Sequence, residues 1–217
     1  MKIKLIGCNS TKNEVHWLGV PQNMNCEFLD FDLHGRPSKL HEKLQEIIDQ
    51  SQDYDLIILT YNRCSNVPFN LISPKVPLVF PKTHDCIGLL LGSNEKHMEF
   101  YQKNPAVYYF SQGWLDYGKT PYAEYLEYVE KYGEDKAKTL INTLYGGYKK
   151  AVLIITPGIK DIHRYRQKMK EIADFFGWET EEVEGDIGLL NDLIKGKENP
   201  DIVRIPPGVR VSEEHFS

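Results

Sequence analysis

Asp55-Leu56-Ile57-Ile58-Leu59-Thr60-Tyr61 is the most telling stretch of the sequence. Four consecutive aliphatic residues bounded by Asp and Thr read as a strand covered on both faces, the pattern of a buried parallel sheet rather than a half-exposed antiparallel one. Upstream, Pro37 opens a helix whose apolar residues Leu40, Leu44, Ile47 and Ile48 fall at helical spacing. Cys26 to Leu33 reads as another strand. Lys2 to Gly7 reads as the first strand, ending at Cys8, and Thr11-x-x-Glu14 reads as a capping box for a short helix through Trp17 and Leu18.

Downstream the alternation continues. Pro77 to Phe80 reads as a short strand, and Thr83 stands where the N-cap of the helix Ile87 to Leu91 is expected. Further helices are read at Glu95 to Gln102, Tyr122 to Tyr132 and Glu134 to Tyr145, with a strand at Val107 to Phe110 before the last two. The pattern restarts with a strand at Ala151 to Thr156, a helix at Asp161 to Phe176, a strand at Thr180 to Val183, a helix at Leu189 to Lys195 and a strand at Ile202 to Ile205. The remaining tail is expected to fray. Parallel strands need crossover helices, so the expected fold is α/β, a mostly parallel sheet with helices on both faces. The 217 residues are expected to form one α/β domain, divisible into two β-α lobes of about 1–105 and 106–217 around the central helices.

Composition sets the outer limits. At 41% hydrophobic and 26% charged, the chain can bury a core without a disulfide or metal to hold it together. The 26 Lys and Arg against 31 acids leave a net charge of −5, which advertises no nucleic-acid surface. No apolar run reaches the roughly 18 residues needed to span a bilayer. Met1 to Gly7 is too short and strand-like for a signal peptide, so no membrane role is expected and the cytoplasm is the expected location. Neither G-x-G-x-x-G nor G-x-x-x-x-G-K-[ST] occurs, so classical nucleotide binding has no support.

Four cysteines are too sparse for a disulfide framework. Cys8, Cys64 and Cys86 each lie just beyond the C-terminal end of an expected strand, the edge of an open parallel sheet at which loops converge and ligands bind. Converging thiolates repel unless a cation offsets them, which points to zinc or an iron–sulfur cluster, with His84 as a candidate fourth ligand. In the first turn of its helix, Cys86 would have free amides and the helix dipole to favour its thiolate. The competing reading is that each cysteine is a small buried hydrophobe. Cys26, at the start of a strand, points to the other edge and is structural on either reading. His16, His34, His41, His97, His163 and His215 are scattered and read as surface or core histidines. Tyr108, Tyr109, Phe110, Trp114 and Tyr117 read as core and interface packing.

His84-Asp85-Cys86-Ile87-Gly88-Leu89-Leu90-Leu91-Gly92-Ser93 carries a resemblance. Together with Leu33-His34, Pro37, Tyr61, Cys64, Asn66, Gly113-Trp114-Leu115 and Pro206-Pro207-Gly208, it resembles the domain-of-unknown-function family 1638, over most of the chain. The resemblance implies a shared site for Cys8, Cys64 and Cys86. It also implies a role in one-carbon metabolism beside corrinoid-dependent methyltransferase systems of anaerobes, with a corrinoid reached through a partner. The chain departs from the family's pattern at Thr60 to Asn66, where side chains replace several glycines, and at Ile154 to Gly158, which lacks an acid. Arg63 and Asn66, which flank Cys64, are the candidate cofactor-binding residues, Arg63 being placed to meet an anion. The leading expectation is a metalloprotein for redox or methyl-group chemistry. The alternative is a non-enzymatic module that docks a corrinoid or methyltransferase protein through an exposed Trp114 and its neighbouring tyrosines. A third reading makes Cys86 a metal-free nucleophile with His84 as its base.

Overall fold

The computed structural model describes residues 1–63 and 66–216. Two separate sheets form. The first has five strands in the order β2 (Met24–Leu29), β1 (Ile3–Cys8), β3 (Leu56–Leu59), β4 (Leu78–Pro81) and β8 (Ile202–Ile205). All its pairings are parallel except β4 with β8. The second is wholly parallel, β5 (Val107–Phe110), β6 (Lys150–Ile155) and β7 (Glu179–Glu184) in that order.

Alternation along β3 explains why its sequence reads as unbroken apolar. Ile57 and Leu59 join the core under α2 (Pro37–Gln50), with Leu40, Leu44, Ile47 and Ile48. Leu56 and Ile58 face the opposite way, toward α1 (Lys12–Leu18), α3 (Cys86–Leu91) and α9 (Gly188–Ile194). The second sheet packs Phe110, Ala151 and Leu153 against α8 (Ile162–Phe176), while Tyr109, Ile154 and Val183 on its other face join the core of the first. The two sheets therefore share apolar packing. The hairpin α6 (Pro121–Tyr132) and α7 (Glu134–Tyr145) packs at the side through Tyr125, Ala137 and Ile141. Between β4 and β5 lie α3 and α4 (Asn94–Lys103), and α5 (Gln112–Tyr117) follows β5.

Several expectations are corrected. The strand expected to run to Leu33 ends at Leu29, because residues 31–35 form a single-turn 3₁₀ helix with the Leu33 amide bonded to the Asp30 carbonyl. The capping box at the start of α1 does not form: the Thr11 hydroxyl donates to the Cys8 carbonyl and meets the Thr60 hydroxyl, and Glu14 reaches the other lobe. Asp85, not Thr83, caps α3, its Oδ1 accepting from the Ile87 and Gly88 amides, while the Thr83 hydroxyl takes the Asn62 amide. The tail does not fray, since Val211 and Phe216 are buried and the Val211 backbone bonds to Asn70 and Leu71. The chain passes to the second sheet at β5, and α9 and β8 return to the first. No helix among the described residues is long and apolar enough to cross a membrane.

Where the lobes touch, backbone approaches backbone. A Cβ built on Gly113 in α5 would lie 2.3 Å from the carbonyl oxygen of Ser10, two residues past Cys8. A backbone carbonyl cannot swing aside as a side-chain tip would. Gly113→Ala is expected to cost about 1–3 kcal/mol by overpacking, read from urea unfolding. An unchanged midpoint would mean that the lobes stand further apart.

Candidate functional site

The site lies where the C-terminal strand ends of the two lobes face one another. Apart from Lys4, Ser51 and Ser73, every buried polar side chain among the described residues is found there. Asn9, Ser10, Thr11 and Glu14 follow β1, Thr60 and Asn62 follow β3, Thr83 follows β4, Ser111 follows β5 and Thr156 follows β6. Burying polar groups is costly unless they are bonded, so this layer marks a place where the fold gives up apolar packing. Much of it is knitted together: Cys8 N–H donates to Thr60 Oγ1 (3.1 Å), and Thr60 and Thr11 hydroxyls meet at 2.9 Å. Across the lobes, Thr156 Oγ1 donates to Glu14 Oε1 (2.7 Å).

Cys8 is buried at the end of β1, and its sulfur accepts the Ser10 amide at 3.3 Å. The ring of His34 stands against the same sulfur, Nε2 at 3.8 Å and Nδ1 at 4.0 Å. His34 rides on the 3₁₀ turn after β2 and stacks on Phe31, ring centroids 4.6 Å apart. Burial holds its pKa below the ordinary imidazole value, against an opposing hydrogen bond with the Phe31 backbone. Sequence reasoning passed over His34 as one of several scattered histidines. Two signals could have singled it out: its place five residues beyond β2, on the same edge as Cys8, and the Leu33-His34 pair among the residues that carry the family resemblance.

Cys86 is half-buried at the first position of α3. The amides expected to favour its thiolate are taken by Asp85, so the helix dipole is already answered by a carboxylate. His84 is exposed, 74% for its side chain, with Nδ1 3.8 Å from Asp85 Oδ2. Its ring lines a groove of about 580 Å³ with Asp85, His97, Met98, Tyr101 and Tyr109. Arg63 stands at the same groove, pairs with Glu213 (2.7 Å) and donates its amide to the Thr83 carbonyl at 3.4 Å. Asn66 takes the left-handed conformation, φ 56°, a place glycine usually fills and asparagine tolerates. Cys64, the middle cysteine of the expected trio, lies outside the described residues. Among the described residues, no three His, Cys, Asp or Glu side chains are grouped to hold a metal. Cys26 sits within β2 and packs on the shared core, where burial pushes its thiol pKa up.

A second cleft, about 790 Å³, opens between the lobes onto His34. Phe31 forms one wall, with Tyr108, Trp114, Glu124 and Tyr145 opposite. Trp114 is not the exposed anchor expected: it is half-buried, edge-on to Phe31 at 4.4 Å between centroids. Glu124 accepts from the Tyr128 and Tyr145 hydroxyls, each at 2.6 Å.

Glu14 supplies a pH dependence. It is 1% exposed, and burial raises its pKa from 4.5. An acid whose folded pKa is raised binds its proton more tightly folded than unfolded. Its contribution is thus full below pH 4.5 and is lost as pH rises through the folded pKa. Glu14→Gln should flatten this stretch of the stability curve, seen as melting midpoints that fall less than wild type's between acid and neutral pH. Parallel curves for the two proteins would exclude Glu14 as the source.

An α/β protein of one mostly parallel and one wholly parallel sheet, with a buried polar layer and a thiol–imidazole contact at the facing strand ends, is the class these features define. The chain belongs to the family described as protein of unknown function (DUF1638), whose sequence model matches residues 28–194. That span includes His34, Cys64, His84 and Cys86 and begins beyond Cys8. No curated protein and no solved structure matches the chain.

Proposed function

We propose that this chain is a thiolate metalloprotein in which Cys8, Cys64 and Cys86 hold zinc or an iron–sulfur cluster, for redox or methyl-group chemistry in one-carbon metabolism. The supporting observation is strand order: β1 and β4, which deliver Cys8 and Cys86, flank β3, whose following loop runs on through Arg63 toward Cys64 in sequence. Adjacent strands stand about 4.8 Å apart, so the ends of β1 and β4 lie two strand spacings apart on one sheet edge, which favours a common centre over separate roles. A bound metal would supply a polarised thiolate or an electron acceptor. The protein's own part is to bury Cys8, to donate the Ser10 amide to its sulfur, and to offer Arg63 at the groove, with Asn66 close to it in sequence, for an anionic group. The reading places the protein in the cytoplasm beside a corrinoid or methyltransferase protein.

Metal analysis after anoxic purification tests it. Near-stoichiometric zinc, or iron with sulfide and visible absorption, supports it. Folded, colourless, metal-free protein rejects it.

The aromatic groove favours a second reading, a docking module without chemistry of its own, since Met98 and Tyr101 stand exposed there. Capture from an anaerobic host extract should then recover a corrinoid or methyltransferase protein. Recovery of neither counts against it.

A further inference from the structure

Four aromatic rings meet nearly at right angles along the cleft between the lobes. Phe31 stands at 89° to Trp114, Trp114 at 74° to Tyr108 and Tyr108 at 73° to Tyr145, with successive centroids 4.4, 6.1 and 5.9 Å apart. All four line the 790 Å³ cavity, and Tyr108, Trp114 and Tyr145 are only half-buried, so their packing leaves surface open to it. Walls set at right angles enclose a corner on more than one side, and the face of an aromatic ring is its negative side. We propose that this cleft binds a small molecule through a methylated ammonium group of choline type, caged by Phe31, Tyr108, Trp114 and Tyr145 and facing the Glu124 carboxylate. Such a site needs no metal at Cys8 and goes beyond the thiolate-centre reading.

Charge selects a cation for this space. Glu124 lines the cleft with its two oxygens held by the Tyr128 and Tyr145 hydroxyls, and among the described residues it pairs with no basic side chain. Lys119, on the same lining, pairs with Glu127, which leaves Asp32 and Glu124 against Arg36. Burial favours the neutral imidazole of His34, so that ring does not repel a cation. Tyr117, in the same cleft, already has Lys12 over its ring, 5.1 Å from the centroid, whereas among the described residues no Lys or Arg covers the four rings of the cage. A bare ammonium is strongly hydrated and asks for several acceptors. A methylated one asks instead for ring faces, which the cleft supplies with one carboxylate beside them. The volume suits a small molecule, whose pockets run about 300–1,000 Å³.

Calorimetric titration of the full chain with choline, with tetramethylammonium and with dimethylbutanol, the uncharged carbon isostere of choline, tests the assignment. Both cations should bind, and the isostere, which has choline's shape without its charge, should bind about 10-fold more weakly or not at all. Glu124→Gln, which keeps an oxygen to accept a tyrosine hydroxyl, should lower choline affinity by about 10-fold and leave that of the isostere unchanged. Trp114→Leu removes a wall of the cage and should weaken choline by about 10-fold or more. Because Trp114 also packs on Phe31, Glu124→Gln carries the test if the leucine variant does not fold. Equal affinity for choline and its isostere, or wild-type choline affinity in Glu124→Gln, would overturn the assignment, as would a folded wild-type chain that binds neither cation. A trimethyl-lysine peptide that binds more than about 10-fold more tightly than choline would overturn the choice of a small molecule.

Discussion

Cys8→Ser is expected to leave the anoxically purified protein with a small fraction of its metal, and Cys64→Ser and Cys86→Ser to do the same. The thiolate is the metal ligand, and a serine hydroxyl stays protonated where a cysteine near a cation does not. At Cys8 the exchange is nearly isosteric, and the hydroxyl that replaces the thiol can still accept the Ser10 amide. The fold should therefore survive, which a circular dichroism spectrum matching wild type would establish. Cys26→Ser is the internal control, because Cys26 sits in mid-strand against the shared core and not at the strand ends. If metal content falls equally in all four variants, the loss reports damaged folding. If it falls in none, the cysteines pack and do no more. Where the wild type binds metal, a chelator should lower its melting temperature, since an ion that binds only the folded chain stabilises it by mass action.

Phe80→Ala should carry the largest cost in stability, about 3–5 kcal/mol, as expected for deleting a buried aromatic side chain. Phe80 is fully buried in β4, packs edge-on toward Phe216 at 5.9 Å between centroids, and pairs with Val203 of β8. Its loss opens a void under the C-terminal segment, and the strand it weakens leads directly to Thr83, Asp85 and Cys86. Urea unfolding should show the midpoint fall with the slope unchanged. A loss below about 1 kcal/mol would show that the surrounding core collapses into the space.

The first sheet was legible because its evidence is local. Leu56 to Leu59 has too many adjacent aliphatic residues for anything but a doubly covered strand, and β8 falls on the four residues read as one. Thr11 and Glu14 misled for the opposite reason. Their spacing fits a helix cap, but both side chains are engaged by partners far along the chain, Thr60 and Thr156. Sequence proximity cannot reveal such competitors. Val211 and Phe216 looked like a tail because two isolated apolar residues carry no period, and only distant partners make them core, the Asn70 to Leu71 backbone for Val211 and the rings of Phe69 and Phe80 for Phe216. At the site, the edge position of Cys8 and Cys86 followed from strand order. His34 could not be found that way, for a 3₁₀ turn has no hydrophobic pattern of its own, and its approach to Cys8 depends on how that turn folds back.

The antiparallel return of β8 sets an order of events during synthesis. β4 emerges from the ribosome long before β8, with the whole second sheet between them, so the outer edge of β4 has unpaired backbone groups until nearly the last of the described residues is made. The strands of the second sheet, by contrast, all lie within one continuous stretch and can pair as soon as it is complete. The N-terminal sheet is therefore the last to close, and its exposed edge is where a nascent or truncated chain would recruit chaperones or aggregate.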